Sequence, residues 1–358
     1  MDPSAVNRNV TIDDFDSLLS YEDQAVWDSP DPSAKGFNAG SSQWWRGTYH
    51  QTKEIGASVS LNITGPAVFI YGNTGPLYGS YEVEIDSEVQ QYSAYRESSD
   101  NSSTLLYSST SLTYANHNII LRNLGAKPEV GDKGGDAFLI DYIQSTIQLA
   151  PAGATVSNVT YEETDPALTY TGTWSNNTGS HFSGGGTAFT NDDLGSVSLS
   201  FHGSAVYVLG DKNNRHRIYS IVLDNNPAQF YNATSGCGGA FGKTCEQPLP
   251  SLAYLGSNLD DSLHTITITN YAGVNASFFD LDSIVVTVPS KYAPRQLSTS
   301  TSPFMITTSG TLFARTTGSP DFRVTTGAAS PSFPMMANPL LLLILAVFFL
   351  LRPNMGRL

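Results

Sequence analysis

Gly56-Ala-Ser-Val-Ser-Leu-Asn-Ile-Thr-Gly-Pro-Ala-Val-Phe-Ile-Tyr-Gly72 returns later in the chain as Gly195-Ser-Val-Ser-Leu-Ser-Phe-His-Gly-Ser-Ala-Val-Tyr-Val-Leu-Gly210. The chain therefore carries one folding unit twice. The match extends outward on both sides. Asn9-Val-Thr is echoed by Asn158-Val-Thr and Trp27 by Trp174, while Tyr107, Leu112 and His117 keep their spacing in Tyr254, Leu259 and His264. Phe138-Leu-Ile-Asp-Tyr-Ile143 closes the first copy as Phe279-Asp-Leu-Asp-Ser-Ile284 closes the second. The offset between copies drifts from about 149 residues to about 138, then 147, then 141, and changes only between blocks, as loops of unequal length around fixed strands require.

Within each copy the apolar period is two. Val59, Leu61 and Ile63 alternate with polar residues, as do Val197, Leu199 and Phe201, so each stretch is a strand with one face in a core. Ala67 to Tyr71 and Ala205 to Leu209 are nearly continuous apolar runs, which suits central strands. Tyr81, Val83 and Ile85, repeated by Tyr219, Ile221 and Leu223, give a further strand, and those opening at His117 and His264 another. No segment before the C-terminal tail shows a helical period. The expectation is an all-β chain of two tandem jelly-roll β-sandwich domains, residues 1–149 and 150–293.

Composition narrows the partners. The formal net charge is -14 with only 14% of residues charged, so a phosphate backbone would be repelled and nucleic acid is excluded as a partner. The cysteines Cys237 and Cys245 lie in a glycine-rich insertion of the second copy; a disulfide is expected there, because a zinc site needs more ligands than that neighbourhood offers. Seven Asn-x-Ser/Thr sites occur, at Asn9, Asn62, Asn101, Asn158, Asn176, Asn232 and Asn275. Chance would supply roughly four or five, so they support N-glycosylation and secretion only modestly.

From 294 to 333 Ser, Thr and Pro accumulate without an apolar period, which reads as a disordered stalk. Residues 334–358 hold the apolar run Leu340–Leu351, a short hydrophobic helix by pattern. Small residues at Gly327, Ala328 and Ala329, a spacer and an apolar tail form the layout of a GPI-attachment signal. As a spanning helix the run would reach only about 18 Å against a hydrocarbon core of about 30 Å. The polar remainder after Arg352 favours a single-pass anchor instead, and both readings stay open. The N-terminal residues carry no signal-peptide pattern, so the expectation of extracellular domains on a membrane-anchored cell-surface protein implies a start missing from this chain.

The series Asn9 to Asp14, Gly47-Thr-Tyr-His50, the Gly56–Gly72 stretch, Tyr81 to Asp86, His117-Asn-Ile and Phe138 to Ile143 resembles uncharacterised cell-surface proteins of mushroom-forming (basidiomycete) fungi. That resemblance, over residues 9 to 288, implies tandem galactose-binding-like jelly rolls and a task in binding glycans or cell-wall polymers. The second copy departs from it at Glu162-Glu163 and at Gly186-Thr-Ala-Phe189.

Glycan binding needs flat aromatic faces beside polar partners, and Trp44, Trp45 and Tyr49 with Gln43, Arg46 and His50 form the densest such cluster. His181 and Phe182 are the thinner counterpart. Trp27 and Trp174 read as core anchors. The acid pairs Asp13-Asp14, Asp192-Asp193 and Asp260-Asp261 read as turn residues rather than as a hydrolytic dyad, and Asp141, Asp280 and Asp282 as caps rather than calcium ligands. His117 and His264, repeated one per copy, read as structural. The sequence thus leads to a non-enzymatic, glycan-binding surface glycoprotein without metal or cofactor, with a ligand-free wall protein and an extracellular glycosidase as the alternatives.

Overall fold

The computed structural model describes residues 2–99, 102–128, 132–235, 249–271 and 277–294. The described residues are all-β, with turns and short 3-10 segments between strands and no α-helix among them. In the first half the strands are β1 (Val6–Asp13), β2 (Ser20–Tyr21), β3 (Trp27–Asp28), β4 (His50–Thr52), β5 (Ser58–Thr64), β6 (Ala67–Gly72), β7 (Ser80–Ile85), β8 (Glu88–Ser93), β9 (Thr104–Ser109), β10 (Asn116–Gly125) and β11 (Phe138–Ala150). The second half has β12 (Val156–Glu162), β13 (Thr169–Thr171), β14 (Ser175–Thr178), β15 (Gly186–Thr190), β16 (Ser196–Phe201), β17 (Ala205–Gly210), β18 (Ile218–Leu223), β19 (Gln229–Asn232), β20 (Ser251–Gly256), β21 (His264–Asn270) and β22 (Phe279–Pro289).

These strands form four antiparallel sheets. The first half has a six-stranded sheet ordered β3-β4-β11-β6-β9, with β1 also on β11, and a five-stranded sheet ordered β2-β5-β10-β7-β8. The second half repeats both, as β14-β15-β22-β17-β20 with β12 on β22, and as β13-β16-β21-β18-β19. Every strand has its counterpart, so Val59 on β5 and Val197 on β16 occupy equivalent strands.

In each half the two sheets meet through aromatic contacts. Phe138 stacks on Tyr81 at 5.2 Å between ring centroids, and Phe279 lies on Tyr219 at 5.1 Å. Trp27 is fully buried against Tyr21, as a core anchor should be, whereas Trp174 is only half-buried. Gly72 and Gly210 end equivalent strands where the backbone passes closely: a Cβ would sit 2.0 Å from the Leu139 carbonyl oxygen in one copy and 2.2 Å from that of Asp280 in the other. Only glycine fits there.

The two halves pack on one another: the described residues belong to one compact unit within Met1–Leu312, and the buried apolar side chains of both halves join in one core cluster. Hydrogen bonds knit the seam. Leu18 N–H donates to the Leu252 carbonyl at 2.9 Å, Ser17 N–H to Ser251 Oγ at 2.8 Å, Gln24 Nε2 to the Thr234 carbonyl at 2.9 Å, and Ser257 Oγ to the Thr64 carbonyl at 2.7 Å.

The stalk, the C-terminal apolar segment with Gly327, Ala328 and Ala329, Cys237, Cys245, Asn101 and Asn275 lie outside the described residues. Among those described, no helix is long and apolar enough to cross a membrane.

Candidate functional site

β11 closes the first half, and its outward residue Tyr142 sits in register with Tyr71 on β6. The register shifts between Ile140 and Tyr142, a bulge that re-aims the side chain. Tyr142 and Tyr71 stack at 4.4 Å and 18°, while Trp45 lies against Tyr142 at 5.8 Å and 49°. Trp45 is 46% exposed and both tyrosines are half-buried, so the three rings form a strip open to solvent on the outer face of the six-stranded sheet.

A buried polar nest holds the strip from beneath. Asp141 Oδ1 accepts the Trp45 N–H at 2.9 Å and thereby fixes the 3-10 turn Trp45–Gly47 to β11. Asp14 Oδ1 accepts from Thr48 Oγ1, and Asp14 Oδ2 meets His50 Nδ1, both at 2.7 Å; the His50 ring stacks on Tyr21 at 4.1 Å. Asp16 Oδ2 accepts the Asp13 N–H and its Oδ1 accepts the Leu252 N–H of the second half, each at 2.9 Å. Lys212, also from the second half and fully buried, donates from Nζ to the Asp16 carbonyl at 3.2 Å and lies over the Phe15 ring.

Burial sets the proton affinities. It pushes the Asp141 carboxyl up to about 6, raises Asp14 well above the ordinary carboxylate range, and draws Lys212 down to about 8 and His50 well below its usual value. Asp13 and Asp14 are buried, so a substrate has no direct approach to that acid pair. Asp192 Oδ2 accepts the Thr173 N–H and Asp260 Oδ1 the Ser262 N–H, which makes both of them turn-fixing groups.

The second half repeats the frame without the platform. Ser183 N–H donates to Asp282 Oδ1 at 2.8 Å, as Trp45 does to Asp141, in the matching 3-10 turn Ser183–Gly185. Trp45 and Tyr142 thus correspond to Ser183 and Ser283, and Tyr71 to Leu209. The strand register also moves the sequence match by one residue: His50 pairs with Ile140 and Ala188 with Leu281, so Ala188, not Phe189, stands where His50 does.

Of the expected aromatic cluster, Trp45 alone presents an open face. Trp44 and Tyr49 are half-buried, meet edge-on at 5.3 Å and pack on the core. Phe182 is 9% exposed with the His181 ring 3.9 Å away, so burial removes that pair as a stacking surface. Tyr71 and Tyr142 were not expected; their signal was a matching pair of outward positions that only the strand register joins. Among the sequons, Asn9, Asn158 and Asn176 are exposed and Asn232 is half-buried. Asn62 is the exception, being 3% exposed with its Oδ1 accepting from Asn118 Nδ2, which leaves no room for a glycan.

No family model matches this sequence. A galactosaminidase acting on A-type blood α-D-galactosamine, from Flavonifractor plautii, is 25% identical over 248 residues; the match covers 69% of this chain and 21% of that enzyme, so the chain spans about a fifth of its length. Similar solved structures include a Paenibacillus xanthan lyase (14% identity, TM-score 0.28, covering 75% of this chain and 25% of that one). A family 35 carbohydrate-binding module from Clostridium thermocellum (16%, TM-score 0.25, covering 36% and 98%) and a Podospora anserina GH26-CBM35 β-(1,4)-mannanase (21%, TM-score 0.26, covering 38% and 28%) are others. The galactosaminidase match overturns the expectation of a non-enzymatic protein.

Proposed function

We propose that this chain is a glycan-recognising β-protein of carbohydrate-active kinship, holding a sugar on the strip Trp45–Tyr142–Tyr71. The observation that carries the reading is the stacked pair Tyr71–Tyr142 with the exposed Trp45 beside it. Flat, rigidly held aromatic faces take the apolar face of a sugar ring. The non-sequential strand order within each sheet pair supports reading each half as a jelly roll of the galactose-binding-like kind. Cell-surface placement, a C-terminal membrane anchor and kinship with basidiomycete surface proteins belong to the same proposal, on the sequence features given above.

The test is a glycan screen with the full chain, using α-galactosamine-terminated glycans, mannans and xanthan as probes. Retention on one class that is lost in Trp45→Ala and in Tyr142→Ala supports the reading. A second reading, catalysis on α-galactosamine-terminated glycans, is favoured by the galactosaminidase match. Release of galactosamine by the full chain is its measurement.

A further inference from the structure

The halves differ chemically at three positions that the backbone makes equivalent. Tyr78 and Ala137 form an isolated parallel bridge, and His216 and Phe278 form the same bridge in the second half. Gly72 pairs with Ile140 and Gly210 with Leu281, so Asn73 corresponds to Asp211 and Leu139 to Asp280. The hydrogen bonds agree: Asn73 Oδ1 accepts the Thr74 N–H at 2.8 Å, and Asp211 Oδ1 accepts the Lys212 N–H at 2.7 Å. In the first half this corner is neutral, closed by a hydrogen bond from Asn73 Nδ2 to Tyr78 Oη at 3.0 Å. In the second it holds Asp211, His216 and Asp280, all buried, each offering one donor atom within 4.8 Å of the others.

We propose that Asp211, His216 and Asp280 form a structural site for one divalent transition-metal cation of the zinc class, present in the second half only. His216 is oriented for it. Its Nδ1 lies 2.9 Å from the Asp211 carbonyl oxygen and, donating there, makes Nε2 the acceptor nitrogen; the Asn213 amide nitrogen now lies 3.3 Å from Nε2, a long contact that a metal would displace. An independent observation also points to a missing partner. Asp280 Oδ1 has no well-aligned hydrogen bond, and neither has Oγ1 of fully buried Thr187, whose hydroxyl lies near enough to the Asp280 carboxyl to favour its charged form. A buried carboxylate oxygen served only by a poorly aligned hydroxyl is costly, and a cation reduces that cost.

Two carboxylates and one imidazole suit zinc, whose tetrahedral ligands stand about 3.4 Å apart at bonds of about 2.1 Å, so the present spread needs a modest contraction. Thr187 Oγ1 or a water would complete the set. Such a cation would tie the loop after β17 to β22. That loop also carries Lys212 into the first half, so the metal would stiffen the seam.

The experiment uses the full chain stripped with a chelator and titrated with Zn²⁺ against a chromophoric competitor. Wild type is expected to bind one more Zn²⁺ than the exchange variant Asp211→Asn/His216→Tyr/Asp280→Leu, which installs the first half's own residues. Asp280→Asn and His216→Gln, closer in shape, are expected to weaken that site at least a hundredfold, and Zn²⁺ is expected to raise the melting midpoint of wild type alone. Co²⁺ in place of Zn²⁺ should give a visible absorption band that His216→Gln abolishes. Equal Zn²⁺ binding by wild type and folded variants overturns the proposal, as does no Zn²⁺ bound by wild type. Preference for Ca²⁺ over Zn²⁺ overturns the assignment of an imidazole ligand.

Discussion

Arg46 and Gly184 occupy equivalent places in the two halves, and both adopt left-handed backbone, with φ of 51° and 62°. Glycine takes that conformation freely, whereas a side chain costs roughly 1–2 kcal/mol. Arg46 keeps its side chain beside Asp16, at 3.8 Å, under the turn that carries Trp45. Strain of this kind tends to collect at functional positions. Arg46→Gly is therefore expected to leave stability within about 1 kcal/mol of wild type, because relief of backbone strain offsets the lost ion pair, while weakening glycan retention. Denaturant unfolding and binding on the same samples check both halves of that expectation.

Lys212 joins the halves through a buried charge. It has no exposure and sits among Asp13, Asp14 and Asp16 of the first half. Removing one partner of a buried charge set leaves the rest uncompensated, so Lys212→Ala should cost about 3–5 kcal/mol. Lys212→Met fills the space but not the charge and is expected to cost less than Ala. The halves should melt in one transition in wild type, and a split into two transitions in Lys212→Ala would locate the loss at the seam.

Asp141 gives stability a pH dependence of definite sign. Its folded value of about 6 lies above the ordinary 3.8, so the folded chain holds a proton that the unfolded chain releases between those values. Its contribution is thus present below about pH 4 and is lost as pH rises through about 6. In Asp141→Asn, which keeps an oxygen for the Trp45 N–H, the decline of stability from pH 4 to pH 6 should be shallower than in wild type. Urea midpoints across that range measure it, and an unchanged slope would place the proton elsewhere.

The repeat was legible in the sequence because strand-forming alternation survives loop changes: the blocks at Gly56 and Gly195 became β5–β6 and β16–β17. The structural reading of the histidines rests on the same logic. His117 Nδ1 meets Asp86 Oδ2 at 2.5 Å, and His264 Nδ1 meets Asp224 Oδ2 at 2.9 Å, each acid coming from the turn of the preceding hairpin. The platform was not legible, since the partnership of Tyr71 and Tyr142 depends on cross-strand register and on a bulge, neither of which a linear pattern reveals. Trp44 and Trp45 are adjacent letters with opposite fates, and the 3-10 turn decides which one faces water. The seam was hidden for a similar reason: Lys212 and Asp16 are distant in sequence and belong to different copies.

One measurement tests the glycan site most directly: retention of the full chain on its cognate glycan, compared between wild type, Trp45→Ala, Tyr142→Ala and Trp44→Ala, with the fold of each verified by circular dichroism. Loss of an exposed stacking ring should cost about 2 kcal/mol, roughly thirtyfold in affinity. Trp45→Ala and Tyr142→Ala are predicted to bind at least that much more weakly while remaining folded. Trp44→Ala, whose ring packs on the core, is predicted to lose stability rather than intrinsic affinity. Undiminished binding by folded Trp45→Ala and Tyr142→Ala would contradict the assignment of this strip as the glycan site.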